Sequence, residues 1–314
     1  MTQLNPDTAP ANATTTWRSM LFVPANSQKF LTSALKRDAD AIQLDLEDAC
    51  PPDLKAATRQ QIGELAEQCA RAGFDVIVRV NRPWRLLVRD LEACVHPAVK
   101  ALTLPKVPDG SFVRSVAEVL AEVEQEKGLP IGHTKLIVMV EDADGLANMD
   151  DIARAHPRVY GMIVGAEDLA VSLRMAVDAD GLYVPNVMAV AACRRAGIVP
   201  IGFVGSVADF ADQEKFKQTV ERAARLGFEG AFCIHPSQID AANEAYSPEP
   251  AAVERARALV ATFEAARAAH QATCTFEGRM VDAPVVAQAH LLIERDDALK
   301  AMMARREAAR RESD

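Results

Sequence analysis

Residues 136–140, LIVMV, closed by Glu141, and residues 159–165, VYGMIVG, followed by Asp168, decide how this chain folds. Apolar runs this short, bounded by Asp and Gly, read as strands buried on both faces, because a strand with one wet face alternates apolar with polar. In a parallel sheet the carboxyl ends of all strands lie on one side, where α/β folds build their sites. Glu141 and Asp168 stand 27 residues apart, the span of one strand, helix and strand. Two acids at the same end of neighbouring strands can share one divalent cation. Taken singly, Asp168 reads as opening a helix and Glu141 as a solvated loop acid, so the rest of the chain has to decide.

Six further runs of the same kind flank this pair. They are SMLFVP (19–24), DAIQLDLEDA (40–49), FDVIVRVN (74–81), VKALTLPK (99–106), GIVPIGFVG (197–205) and GAFCIHPSQ (230–238). Helical stretches fall between them, over Ser27–Arg37, Asp53–Ala72, Trp84–Cys94 and Ser111–Lys127, then from about Gly145, Val184 and Asp212. In the fourth, Phe112, Val116, Val119, Leu120 and Val123 form one apolar stripe. Eight strands alternating with helices predict a (β/α)8 TIM barrel over 18–271, with a C-terminal helical arm over 272–314. The rival, an open doubly wound sheet, needs a GxGxxG turn after its first strand, and FVPANS is not one. Residues 1–17 read as a disordered tail rich in Thr, Ala, Asn and Pro. The arm has too few apolar residues for a core of its own, so it is expected to pack on the barrel or reach a neighbouring subunit.

Composition narrows the partners. A net charge of −9 argues against nucleic acid, since neutralising phosphates needs a basic face. No run approaches the roughly 18 apolar residues of a membrane span. The N-terminus lacks the features of a signal or transit peptide. The six cysteines show neither zinc nor disulfide spacing, which fits free thiols and a cytoplasmic location.

If the barrel forms, its strand ends nominate the site. Asp45 and Glu47 close the second strand, Arg79 and Asn81 the third, Lys106 the fourth, Glu141 the fifth, Asp168 the sixth and His235 the eighth. Hard oxygen ligands without a Cys or His pair favour Mg2+. Arg79, which cannot lose its proton, suits an oxyanion, or an ordinary ion pair with Asp45 or Glu47. Mg2+ and Arg79 together could hold a 2-oxo acid and stabilise an enolate, as carbon–carbon cleavage beside a carbonyl requires. A Schiff-base role for Lys106 is disfavoured, because surrounding acids keep it protonated. His235 reads equally well as an acid–base group or as a structural His–Pro pair.

The motifs resemble the citrate lyase β-subunit-like proteins of the HpcH/HpaI aldolase and citrate lyase superfamily of CoA-ester lyases. They are RSMLFVP (18–24), DLED (45–48), VRVN (78–81), LPKV (104–107), VEDADG (140–145), GAEDLA (165–170), GFEGAFCIHPSQI (227–239) and GRMVDAP (278–284), in consistent order. The resemblance implies Mg2+ on Glu141 and Asp168, with Glu47 behind these ligands, and Arg79 on the oxo acid and the enolate oxygen. It implies that Arg18, Phe22, Pro24 and Lys106 lie near the CoA. It also implies a homotrimer or homohexamer, in which the arm covers the neighbouring subunit's site and Asp282 transfers the proton there. An N-cap before Pro284 is the plainer role for Asp282. The chain departs from the pattern at Arg174-Met175, Pro185-Asn186 and Gly202, beside the expected metal site.

The activity so implied is Mg2+-dependent cleavage or formation of a 3-hydroxy-carboxyacyl-CoA, such as malyl-, citramalyl- or citryl-CoA, giving an acyl-CoA and a 2-oxo acid. Two other readings are a class II aldolase acting on free hydroxy-oxo acids without a thioester, and a catalytically silent CoA-binding accessory protein.

Overall fold

A computed structural model of the chain describes residues 16–208 and 210–313. The strands are β1 (Ser19–Pro24), β2 (Ala41–Asp45), β3 (Asp75–Arg79), β4 (Val99–Leu104), β5 (Lys135–Val140), β6 (Val159–Val164), β7 (Val199–Ile201) and β8 (Ala231–Cys233). All pair in parallel in the order β7-β6-β5-β4-β3-β2-β1-β8. Between β7 and β8 the seam is joined by a bridge from Ile201 to Gly230 and by the Gly202 N–H donating to the Gly230 carbonyl at 2.8 Å. The predicted (β/α)8 barrel is therefore present, nearly closed.

Strand alternation divides the core in two. Residues facing the axis, among them Met20, Ile77, Ile137, Met139 and Phe232, fill the barrel interior. The outward set, including Leu44, Val78, Leu102 and Val138, packs under the helices. One buried ion pair ties the amino-terminal side together. Arg158 grips Glu124 through two nitrogens at 2.8 and 2.6 Å, and the Thr134 and Gly132 N–H groups satisfy the remaining lone pairs. Glu124→Gln would leave a buried guanidinium without its counter-charge, so chemical denaturation is expected to show a loss of about 3–5 kcal/mol. A loss below about 1 kcal/mol would contradict this reading.

Some boundaries differ from expectation. The tail predicted over 1–17 lies almost wholly outside the described residues. Trp17, however, is 2% exposed, donates to Asp75 at 2.9 Å and lies 4.7 Å from the Tyr160 ring. The helix expected near Val184 starts at Ala179, because the Asp178 carboxylate accepts the Gly181 N–H and caps it; Pro185 falls inside. The stretch after Gly145 forms two short helices meeting at Asn148.

The arm also departs from its description. It is a hairpin, β9 (Cys274–Phe276) and β10 (Arg279–Val281), followed by one helix, Ala283–Ser313. It shares a small core around Ala256, Val260, Val281 and Val286 with helix Pro250–Ala268, which lies within the stretch assigned to the barrel. Further along, Leu299 and Met302 enter the barrel-interior cluster beside Trp17 and Met20. Arg295 reaches the Glu229 carboxylate, Arg306 pairs with Asp40 at 3.1 Å and Arg310 with Asp38 at 3.1 Å. Glu229, Asp40 and Trp17 all precede strands, so this half of the helix stops the amino-terminal mouth of its own barrel.

Candidate active site

At the opposite, carboxyl-terminal mouth lies a cavity of about 550 Å3. Adjacent strands place its first pair: Asp45 and Arg79 stand side by side in the β2–β3 register. The Arg79 Nε and Nη2 donate to the two Asp45 oxygens at 2.8 and 2.7 Å, a planar fork that fixes the guanidinium. Its Nη1 lies 3.0 Å from Glu47 and 3.6 Å from Asp48, and the Phe22 ring sits 4.9 Å below the cation. Burial works against this charge, but Asp45, Glu47 and Asp48 outweigh it and hold Arg79 protonated. Asp45 holds one edge of the guanidinium, Nη1 faces Glu47 and Asp48, and Arg79 lines the cavity.

Lys106 forms the second half. Its backbone is left-handed at φ 51, a turn braced by the Arg82 Nε donating to the Lys106 carbonyl at 3.0 Å. That turn sends its N–H to Glu141 at 2.7 Å and its ammonium to Glu47 at 2.8 Å and Asp168 at 3.2 Å. Burial disfavours its charge, yet Glu47, Asp168 and Glu141 prevail, and Lys106 stays an ammonium rather than an amine. Asp168 occupies the first turn of helix Ala166–Leu173, as its reading as a helix-opening acid expects, and it also lines the cavity. Glu141 crosses the end of β6 only because residue 165 is glycine: a Cβ there would stand 2.5 Å from the Glu141 Oε1.

The charges do not balance. Asp45, Glu47, Asp48, Glu141 and Asp168 face Arg79 and Lys106. Burial, reinforced by the Glu47 and Asp168 charges, pushes the Glu141 carboxyl up to about 7, and burial likewise raises Glu47. A dication would relieve this deficit. Mg2+ takes one or two protein carboxylates and completes its shell with other oxygens, so Glu141 and Asp168 fit it. Among the described residues no group of three or more His, Cys, Asp or Glu could hold a metal. Among the described residues no cysteine lines the cavity, and burial pushes the thiols of Cys69, Cys193 and Cys233 up to about 12.

Residues 18–236, which build this site, match the profile of the HpcH/HpaI aldolase/citrate lyase family. The chain belongs to this family. It is 31% identical over 310 residues to the L-malyl-CoA/beta-methylmalyl-CoA lyase of Cereibacter sphaeroides, covering 90% of this chain and 96% of that one. The citrate lyase subunit beta of Escherichia coli is 32% identical over 287 residues, with 90% and 94% covered. Among solved structures, Mycobacterium tuberculosis CitE in complex with magnesium, acetoacetate and coenzyme A superimposes with a TM-score of 0.66 at 29% identity, covering 90% of this chain and 98% of that one. The chain is thus an enzyme of a lyase family.

As a member of the HpcH/HpaI aldolase/citrate lyase family, it gathers most of the residues its sequence nominated. Phe22, Pro24, Arg79, Glu141 and Asp168 line the cavity, with Glu47 and Lys106 bonded to them. Arg18 does not join them. It precedes β1, at the other mouth, where Asp40 takes its backbone N–H, Nε and Nη2 and Ser247 takes Nη1. Asp282 is also absent from this chain's cavity; its Oδ1 accepts the Val285 N–H at 3.4 Å, as a helix cap. His235 caps the short turn Pro236–Gln238, bonds Ser237 and stacks on Phe210 at 4.8 Å, a structural role. Sequence reasoning missed Lys55, whose ammonium binds the Leu46 and Glu47 carbonyls and Asn81, and Asp90, which holds Asn81 and Arg59. These groups lie on helices, away from the strand ends where candidates were sought.

Proposed function

We propose that the protein is a Mg2+-dependent CoA-ester lyase that reversibly cleaves a 3-hydroxy-carboxyacyl-CoA into an acyl-CoA and a 2-oxo acid. The observation that carries the reading is the cluster of Glu47, Glu141 and Asp168 around Lys106, facing an Arg79 that Asp45 holds in plane. Family membership and the magnesium, acetoacetate and coenzyme A of CitE support it.

Cleavage breaks the C2–C3 bond. The C3 hydroxyl gives its proton to the Asp282 carboxylate of a second copy and becomes the oxo acid's carbonyl, the electron pair passes into the thioester enolate, and that proton returned to C2 completes the acyl-CoA. Glu141 and Asp168 would hold the Mg2+, which when bound acidifies the hydroxyl and draws charge from the carbonyl. Arg79 donates to the enolate oxygen, a task suited to a cation that neither moves nor deprotonates. Glu47 keeps Arg79 and Lys106 in place. Phe22, Pro24 and Lys106 flank the path of the thioester.

Proton return falls to Asp282 of a second copy, since the residue is remote from its own cavity. Exposed Met280 and Leu291 flank it on the arm, and Val171, Val184 and Met188 are exposed near the β6–β7 side, which supports a homotrimer or homohexamer. We place the protein in the cytoplasm; among the described residues no helix is long and apolar enough to cross a membrane.

Incubation with malyl-, citramalyl- and citryl-CoA, with and without Mg2+, tests the reading: 2-oxo acid should appear from at least one ester only with Mg2+. No release from any of them overturns it. Lys106 supplies a narrower test. Its ammonium shares Asp168 with the incoming cation, so Lys106→Met is expected to tighten Mg2+ binding about tenfold by calorimetry, the size of one close charge interaction. Unchanged or weaker binding would mean that the two cations do not compete.

A further inference from the structure

The acidic edge of the cavity is held from behind. After β2 the chain turns at Leu46 and Glu47 before it enters helix Lys55–Arg71, and the peptide between these two residues is gripped on both sides. Its N–H donates to the Asp45 Oδ1 at 2.9 Å, an oxygen of the same carboxylate that orients Arg79. Its carbonyl accepts from the Lys55 ammonium at 2.8 Å and from the Asn81 amide at 3.0 Å. The same ammonium donates to the Glu47 carbonyl at 2.7 Å, and its third proton goes to the Asn81 Oδ1.

Asn81 is fixed in turn. Its backbone N–H and its amide both donate to the Asp90 Oδ2, at 2.8 and 2.7 Å, and fully buried Asp90 takes the Arg59 Nε on its other oxygen. Lys55 therefore directs all three donors at this turn, and it makes no ion pair with a carboxylate among the described residues. A cation kept for charge balance would face an acid; this one faces carbonyls. What the turn carries explains the arrangement. Glu47 bridges two cations, with Oε1 2.8 Å from the Lys106 Nζ and Oε2 3.0 Å from the Arg79 Nη1. If its backbone slid by about 1 Å, the carboxylate would reach only one of them.

We infer, resting on the lyase reading above, that Lys55 is a positioning residue for the reaction: it sets the Leu46–Glu47 peptide and so keeps the Glu47 carboxylate between Arg79 and Lys106, while Asn81 and Asp90 set Lys55. In this role Lys55 touches neither substrate nor metal. Without it Glu47 is free to turn away, and the Lys106 ammonium, left with Asp168, competes more strongly with Mg2+ for that carboxylate.

A double-mutant cycle on the full chain tests this, with Lys55→Met and Glu47→Ala made singly and together. Lys55→Met is expected to lower kcat about 10–100-fold, the cost of losing a supporting partner of a metal site, with KM for the CoA ester little changed and Mg2+ binding weakened by calorimetry. In the Glu47→Ala background the same substitution should cost nothing further by either readout, because the group it positions is already gone. A loss of equal size in both backgrounds would mean that Lys55 serves the fold and not Glu47. That result, or an unchanged kcat in the wild-type background, overturns the inference and leaves the lyase reading standing. Lys55 is half-buried in the first turn of its helix, so methionine should be tolerated there. Should Lys55→Met not fold, Lys55→Gln takes its place in the cycle under the same criteria. A wild-type protein that neither cleaves any CoA ester nor binds Mg2+ would overturn both readings.

Discussion

Arg79→Lys is expected to lower kcat about 10²–10³-fold while KM for the CoA ester moves much less. The size is that of removing one well-placed donor from a developing oxyanion. Lysine keeps the charge but cannot make the fork to Asp45, whose two oxygens hold the guanidinium at 2.8 and 2.7 Å. The ammonium would settle on one carboxylate and leave no donor aimed at the cavity. A thermal melt guards against a trivial cause, since Arg79 also neutralises buried Asp45. A variant that melts like the wild type yet turns over normally would remove Arg79 from the chemistry.

Glu141→Gln should be the other severe change. It preserves shape and the bond from the Lys106 N–H at 2.7 Å, and deletes one charge. Mg2+ affinity is expected to weaken by at least 10–100-fold, the range seen when even supporting groups of a metal site are lost, with lyase activity falling alongside. Stability should move the other way. Burial pushes the Glu141 carboxyl up to about 7, above its unfolded value, so its ionisation opposes folding as pH rises from about 4 and does so fully beyond 7. In metal-free protein the variant should therefore melt higher than the wild type at pH 8, with the gap closing toward pH 4. An equal or lower melting temperature at pH 8 would show that the carboxylate is not under this strain.

The barrel and its charged rim were legible because both follow from local pattern. Unbroken apolar runs mark strands buried on both faces, and the residue ending each run must fall at one mouth; Arg79 and Glu141 were found this way. Arg18 was misplaced because it precedes its strand: sequence proximity to Phe22 and Pro24 hides that β1 separates them by the depth of the barrel. Lys106 could be assigned a side but not a conformation, since the left-handed turn that joins it to Glu141, Glu47 and Asp168 depends on Arg82 from another strand end. The apolar part of the cavity lining was invisible for a different reason. Its Met139, Ile163 and Phe232 have the same type and spacing as residues of the closed core, and only the position of the mouth distinguishes them.

The helix Ala283–Ser313 gives the fold an assembly order. Its Leu299, Met302 and Arg306 cover the barrel's amino-terminal opening, where Trp17, Met20 and Asp40 would otherwise meet water. Those partners emerge early from the ribosome and must wait for a segment made nearly three hundred residues later. Nascent chains halted before Leu299 should therefore remain protease-sensitive and bind chaperones, even though every strand of the sheet has already been synthesised.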